Sequence, residues 1–195
     1  QGKHMNYLAH LFVCPPDPES MVGNLMADFR KFVDFETLPK SVKDGIANHQ
    51  RVDKFTDTHP LVIKLRQKFQ KPHRRFSGII IDVVFDYFLS KHWQKYTNVD
   101  RSVFISNAYL TLSDMEELLP TRMHRALIKM SEQDWLGSYS TLDGIEVTLE
   151  RIGTRIRFAN PLAESRAEIE RLHDQIEQCF LEFFPDLVDN FGHPV

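Results

Sequence analysis

The stretch Arg75-Phe76-Ser77-Gly78-Ile79-Ile80-Ile81-Asp82-Val83-Val84-Phe85-Asp86-Tyr87-Phe88-Leu89-Ser90-Lys91-His92-Trp93 decides how the rest of the chain is read. It is the most hydrophobic segment of the sequence. Wound at about 100° per residue it is apolar on nearly every side, so it predicts a central helix over residues 75–95, covered all round by others. Two acids interrupt it. Asp82 and Asp86 lie one turn apart and project from the same side as Leu89 and Trp93, where like charges repel unless something positive stands between or beside them.

Outward from that helix the periodicity stays helical and nothing alternates convincingly with period two, so the chain reads as an all-α domain. Pro15, Pro16 and Pro18 mark a loop ahead of a helix over residues 19–33, with Met21, Asn24, Leu25, Asp28 and Phe32 on one face. Leu38-Pro39 opens a second helix running to residue 57, closed before His59-Pro60. Val42, Ile46, His49, Asp53, Thr56 and Asp57 share one side of it, while Arg51 and Lys54 point away. Its apolar stripe turns polar halfway along. A short helix from residue 61 ends at Pro72. Further helices are expected over residues 103–119, 121–130, 132–140 and 142–157, then a long one over 161–184 that stops ahead of Pro185. There is no internal repeat, low-complexity tract or linker.

At 195 residues, 42% hydrophobic and 26% charged, the chain suits one globular domain with a full core. Gln1, Gly2, Lys3 and His4 read as what remains of a removed tag before a native start at Met5, giving a single domain over residues 5–195. Cys14 and Cys179 are far apart and form no Cys-x-x-Cys, which argues against a disulfide framework and a thiolate metal site and fits a reducing cytoplasm. The apolar run over residues 7–13 is too short for a signal sequence, and Asp82 and Asp86 break the one at 79–89, so no membrane span is expected.

A net charge of −3 and a pI near 6.3 give no case for a nucleic-acid partner. The charge is unevenly spread. Lys64, Arg66, Lys68, Lys71, Arg74 and Arg75 fall in one acid-free stretch, which reads either as a solvated helix face or as a docking patch for an acidic partner or a phosphate.

The chemistry rests on acids and imidazoles placed on inward faces: Asp28, His49, Asp53 and Asp82. A lone buried carboxylate costs several kcal/mol, so a set of them needs partners, and a divalent cation is the most economical one. Oxygen and imidazole ligands without thiolates suit Mn²⁺, Mg²⁺ or Fe²⁺ better than a structural zinc. Taken singly, a helical His–Asp pair at i, i+4 is more often a satisfied hydrogen bond. His10 ends a short amphipathic segment and is either a further ligand or a core histidine; His92 is either a proton donor, a phosphate contact or a surface residue. Asn24 orients Asp28 or a water, or simply bonds to backbone. Glu170-x-x-His173 is half of a di-iron motif whose second copy is missing, and no P-loop, nucleophile elbow or dinucleotide fingerprint is present.

Four separated blocks resemble the acyl carrier protein phosphodiesterase family: Asn6-Tyr7-Leu8-Ala9-His10-Leu11, Gly23-Asn24-Leu25-Met26-Ala27-Asp28-Phe29, the His49-x-Arg51-x-Asp53-x-x-Thr56-Asp57 run, and Asp82 through Trp93. The resemblance implies a helical fold distantly related to HD-domain phosphohydrolases, Mn²⁺-dependent activity, and removal of 4′-phosphopantetheine from the serine of holo acyl carrier protein. It also implies metal ligands. The usual His-Asp doublet stands here as Ala27-Asp28, which leaves His10, Asp28 and Asp82 for three of the ligand places and His49 in place of the lost imidazole. Asp53, Asp57 and His92 are then candidates for the acid that protonates the leaving serine, and Asp86 joins the catalytic set beside Asp82. Arg51, Lys64, Lys68, Lys71, Arg74 and Arg75 become the expected contact surface for the acidic carrier protein. Two rivals stand beside this reading: an HD-type phosphohydrolase of a nucleotide or other small phosphoester, and a helical interaction module whose buried acids are paired with Arg and His.

Overall fold

The computed structural model describes residues 7–192, so the expected tag remnant and native start lie outside the described residues. Among the described residues the chain forms ten α-helices joined by turns and short 3₁₀ segments, with no strand. They are α1 Tyr7–Phe12, α2 Pro18–Met26, α3 Lys40–Thr58, α4 Pro60–Arg66, α5 Ser77–Lys91, α6 Arg101–Asp114, α7 Thr121–Glu132, α8 Trp135–Ser138, α9 Leu142–Gly153 and α10 Arg166–Phe191. None of them is long and apolar enough to cross a membrane.

The apolar segment is indeed the axis. Ile79, Ile80, Ile81, Val83, Val84, Phe85, Phe88 and Leu89 of α5 are all buried, and α1, α4, α9 and α10 pack around them. Against α10, the Phe85 ring lies 5.5 Å from Phe180 and 5.3 Å from Phe183. That contact explains a departure from the sequence reading. α10 runs through Pro185 to Phe191 because Phe183, Phe184 and Leu187, on both sides of the proline, are buried, and their burial outweighs the roughly 3 kcal/mol of a helix-interior proline.

A second departure sets the position of Asp28. α2 stops at Met26, and a 3₁₀ segment over Ala27–Phe32 replaces the expected continuation; beyond Ala27 the exposed Arg30 and Lys31 give a longer helix nothing to bury. α2 lies directly on α3, backbone against backbone. A Cβ on Gly23 would overlap the Val42 carbonyl and one on Gly45 would overlap the Ser20 carbonyl, so both positions require glycine for this approach.

Candidate functional site

α1 has only six residues, too few to be stable alone, and every one is buried. Asp86 of α5 anchors it. The wholly buried carboxyl accepts the Leu8 N–H at 3.1 Å and the Ala9 N–H at 2.8 Å, satisfying two of the open amides in the first turn of the helix. His10, the next residue, is thereby held facing α3.

α3 presents His49 and Asp53 one turn apart on its inward stripe. The His10 and His49 rings stack with centroids 3.9 Å apart and planes 14° from parallel. Each residue is 1% exposed. Both rings aim Nε2 at Asp53: His10 Nε2 lies 3.2 Å from Oδ1 and His49 Nε2 lies 3.4 Å from Oδ2. Asp28, from the 3₁₀ segment after α2, brings its Oδ1 to 3.9 Å from His49 Nε2. Asp82 of α5 stands within the field of the same acids.

The electrostatics of the two central carboxyls run in opposite directions. Burial alone would raise Asp53, but the two imidazoles facing it, His10 and His49, outweigh burial and hold the carboxyl well below the usual carboxylate range. Asp82 is raised well above that range, first by burial and then by the charges of Asp53 and Asp57, with Arg66 pulling the other way.

This donor set fits a divalent cation. One ligand atom from each of His10, His49 and Asp53 falls within 4.8 Å of the others, Asp28 borders His49, and the chemistry is imidazole and carboxylate without thiolate. The buried His49 Nε2 makes no hydrogen bond of ordinary geometry. Such an atom is costly unless something else takes its lone pair.

Other expected site residues sit elsewhere. Asp86 turns both its oxygens to α1 amides, and burial pushes its carboxyl up to about 8 against the pull of those amides. His92 is also corrected. It lies past the far end of α5, with Nε2 2.6 Å from Glu177 Oε1 and its ring over Phe180. Ten residues of helix rise about 15 Å, so it cannot touch what Asp82 touches. Asp57 stands at the rim, exposed, with Arg66 Nη1 at 3.3 Å. Arg51 is exposed and turns to Asn48 Oδ1 at 3.4 Å. Lys64, Lys68, Lys71, Arg74 and Arg75 are all exposed, Arg75 lying over the Phe158 ring at 5.1 Å.

Three neighbours of the cluster have surroundings that the sequence reading does not give. Tyr7 lies beside Asp28, and burial first, then the Asp28 charge, raises its phenol. The buried Asn24 has the Cys14 thiol as its polar neighbour. Arg66 differs from the rest of the basic run by pairing with Asp57 and bringing its charge to bear on Asp82, a placement that depends on the bend at His59-Pro60.

The family model described as acyl carrier protein phosphodiesterase matches residues 5–187. A protein of that name from Yersinia pestis is 33% identical over 190 residues, covering 97% of this chain and 98% of its own length. One from Serratia proteamaculans (strain 568) is 34% identical over 185 residues, covering 94% and 96%. Another from Escherichia coli O139:H28 is 30% identical over 190 residues, covering 97% and 98%. No solved structure matches.

Proposed function

The chain belongs to the acyl carrier protein phosphodiesterase family, and on that premise we propose that it is a metal-dependent phosphodiesterase that hydrolyses holo acyl carrier protein to 4′-phosphopantetheine and the apo protein. The observation that carries the metal dependence is the convergence of two buried imidazole nitrogens on one ionised carboxylate.

His10, His49, Asp53 and Asp28 would hold the cation, Mn²⁺ or alternatively Mg²⁺ or Fe²⁺, with Asp82 as a further ligand. When bound, the cation supplies a water of lowered pKa and positive charge for the phosphoryl oxygens. The chain does the rest. The buried imidazole stack and Asp86 fix the ligands in place. Asp82 holds a proton that must leave when positive charge enters, so affinity rises with pH. In the hydrolysis an oxygen–phosphorus bond forms from water while the phosphorus–serine oxygen bond breaks, and the departing alkoxide needs a proton. With His92 remote and Asp53 engaged by imidazoles, Asp57 at the rim is the one of the three candidate groups left to relay that proton from solvent. The exposed lysines and arginines of residues 64–75 face outward beside this rim and attract the carrier protein by long-range charge.

Incubating the protein with holo acyl carrier protein and Mn²⁺, and following the carrier by mass spectrometry, tests the reading. A mass loss equal to 4′-phosphopantetheine, abolished by chelator and restored by Mn²⁺, is expected. An unchanged carrier mass sinks the activity, and turnover indifferent to chelator sinks the metal dependence.

A further inference from the structure

We propose that the pocket lined by Arg66 and Arg74, between α4 and the start of α5, is an anion subsite that takes the phosphoryl oxygens of a phosphate ester beside the acid–imidazole cluster. Its identity as a subsite for the substrate or product ester rests on the phosphodiesterase reading; its capacity to bind an anion does not.

The pocket has a volume of about 250 Å³ and is lined by Ile63, Arg66, Gln67, Arg74 and Ser77. Two guanidinium groups and no carboxylate face it. No acid occurs between Asp57 and Asp82 in the sequence, and none lines the pocket, so Asp57 at its edge is the carboxylate that Arg66 meets. Pockets that enclose drug-sized ligands run about 300–1,000 Å³. This one suits a small anionic group, with the rest of the ligand outside.

The two arginines are differently placed. Arg66 lies along the first turn of α5, its Cζ and Nη2 3.5 Å from where a Cβ on Gly78 would sit, an ordinary contact distance. Its Nη1 pairs with Asp57 at 3.3 Å, the side chains 39% and 62% exposed. Exposed pairs of this kind contribute little, so exchanging the carboxylate for a doubly charged phosphate costs little too. Arg74, exposed, has no ion-pair partner among the described residues. A guanidinium needed only to neutralise Asp57 would not require a second one facing the same pocket. Planar guanidinium forks match phosphate oxygens in pairs, which lysines do not.

Position ties the pocket to the cluster. Arg66 reaches Asp57, one turn from Asp53 on α3, and its charge acts on Asp82. A phosphoryl group seated between Arg66 and Arg74 therefore lies at the edge of the proposed cation site. A released phosphomonoester, with one more negative charge than the diester, would be held there more tightly than the substrate.

Isothermal titration of the whole protein with inorganic phosphate tests this, with and without chelator, in wild type, Arg74→Gln and Arg66→Gln. Arg74 is exposed, so its variant keeps the fold even where loss of Arg66 disturbs the acids. The expected result is wild-type binding that survives chelation and is weakened about tenfold in Arg74→Gln, equal to about 1.4 kcal/mol. Acetate should bind far more weakly. Undetectable phosphate binding in wild type, affinity unchanged in both variants, or equal affinity for acetate would each overturn the subsite. Binding that vanishes with chelator and ignores both arginines would overturn it as well while leaving the metal site standing. Failure to cleave carrier protein with arginine-dependent phosphate binding intact would remove the phosphodiesterase reading and leave an anion site.

Discussion

The two ends of α5 carry similar donors and neutralise them differently. At one end His10, His49 and Asp53 converge, with Asp28 and Asp82 beside them. At the other, His173, Asp174 and Glu177 also bring ligand atoms within 4.8 Å of one another. There, however, Glu177 Oε1 already has Lys91 Nζ at 2.8 Å and His92 Nε2 at 2.6 Å, and Asp174 lies fully in solvent. Lysine and water supply what that charge requires. Ligand spacing alone therefore does not mark a metal site; buried acids faced mainly by imidazoles and other acids do.

The largest expected effect separates the ends by activity. Asp53→Ala or His49→Ala should lower kcat/KM on holo acyl carrier protein by more than the roughly 100-fold that losing an outer-shell partner costs, whereas His92→Ala and Glu177→Gln should stay near wild type. Comparable losses at both ends would erase the distinction. Next comes the ion itself. Mn²⁺ at about 100 times its Kd should add about 2.7 kcal/mol to unfolding in denaturant melts, a gain lost in Asp53→Ala and kept in Glu177→Gln. If Asp53→Ala retains it, the ion binds elsewhere.

Asp86→Asn sharpens the comparison by separating anchoring from ligation. Asparagine keeps one acceptor for the Leu8 and Ala9 amides and leaves the other unsatisfied, a cost of about 1–3 kcal/mol. The pH signature is distinctive. The folded carboxyl is raised from 3.8 to about 8, so its contribution is full below the lower value and is lost as pH rises toward the upper one. Urea melts across that window should show stability falling in wild type and a flatter profile in the variant; parallel profiles would mean that Asp86 stays ionised in the fold. The smallest effect concerns the surface. Reversing charge at Lys68, Lys71 and Arg75 should cost about tenfold in kcat/KM on the carrier protein but not on a small phosphodiester, and the wild-type rate should fall with salt. Exposed charges act over a Debye length of about 8 Å at physiological ionic strength. Equal losses on both substrates would make this stretch an ordinary solvated face.

α3 was legible in the sequence because its signals are local: Leu38-Pro39 at one end, His59-Pro60 at the other, and a stripe that changes from Val42 and Ile46 to His49 and Asp53. The central helix was legible by hydrophobicity alone. The fate of Asp86 was not, since its partners lie 77 and 78 residues away and no spacing rule connects an acid in one helix to open amides in another. His92 failed for the same reason, its Glu177 being 85 residues distant. Periodicity identified which polar groups face inward, as for Asp28, His49 and Asp82. It gave no view of which of them face each other, and Asp53, expected as a proton donor, stands instead between two imidazoles.

The shortness of α1 has a kinetic consequence. Helices of fewer than about 12 residues hold no independent stability in water, so this one persists only while docked and comes away from α5 as a unit. The Leu8 and Ala9 amides, shielded by Asp86, exchange their hydrogens only in that opened form. Their exchange rate thus clocks the opening of the cluster from inside, and an ion coordinated by His10 and sealed behind this helix would have a residence time set by the same event.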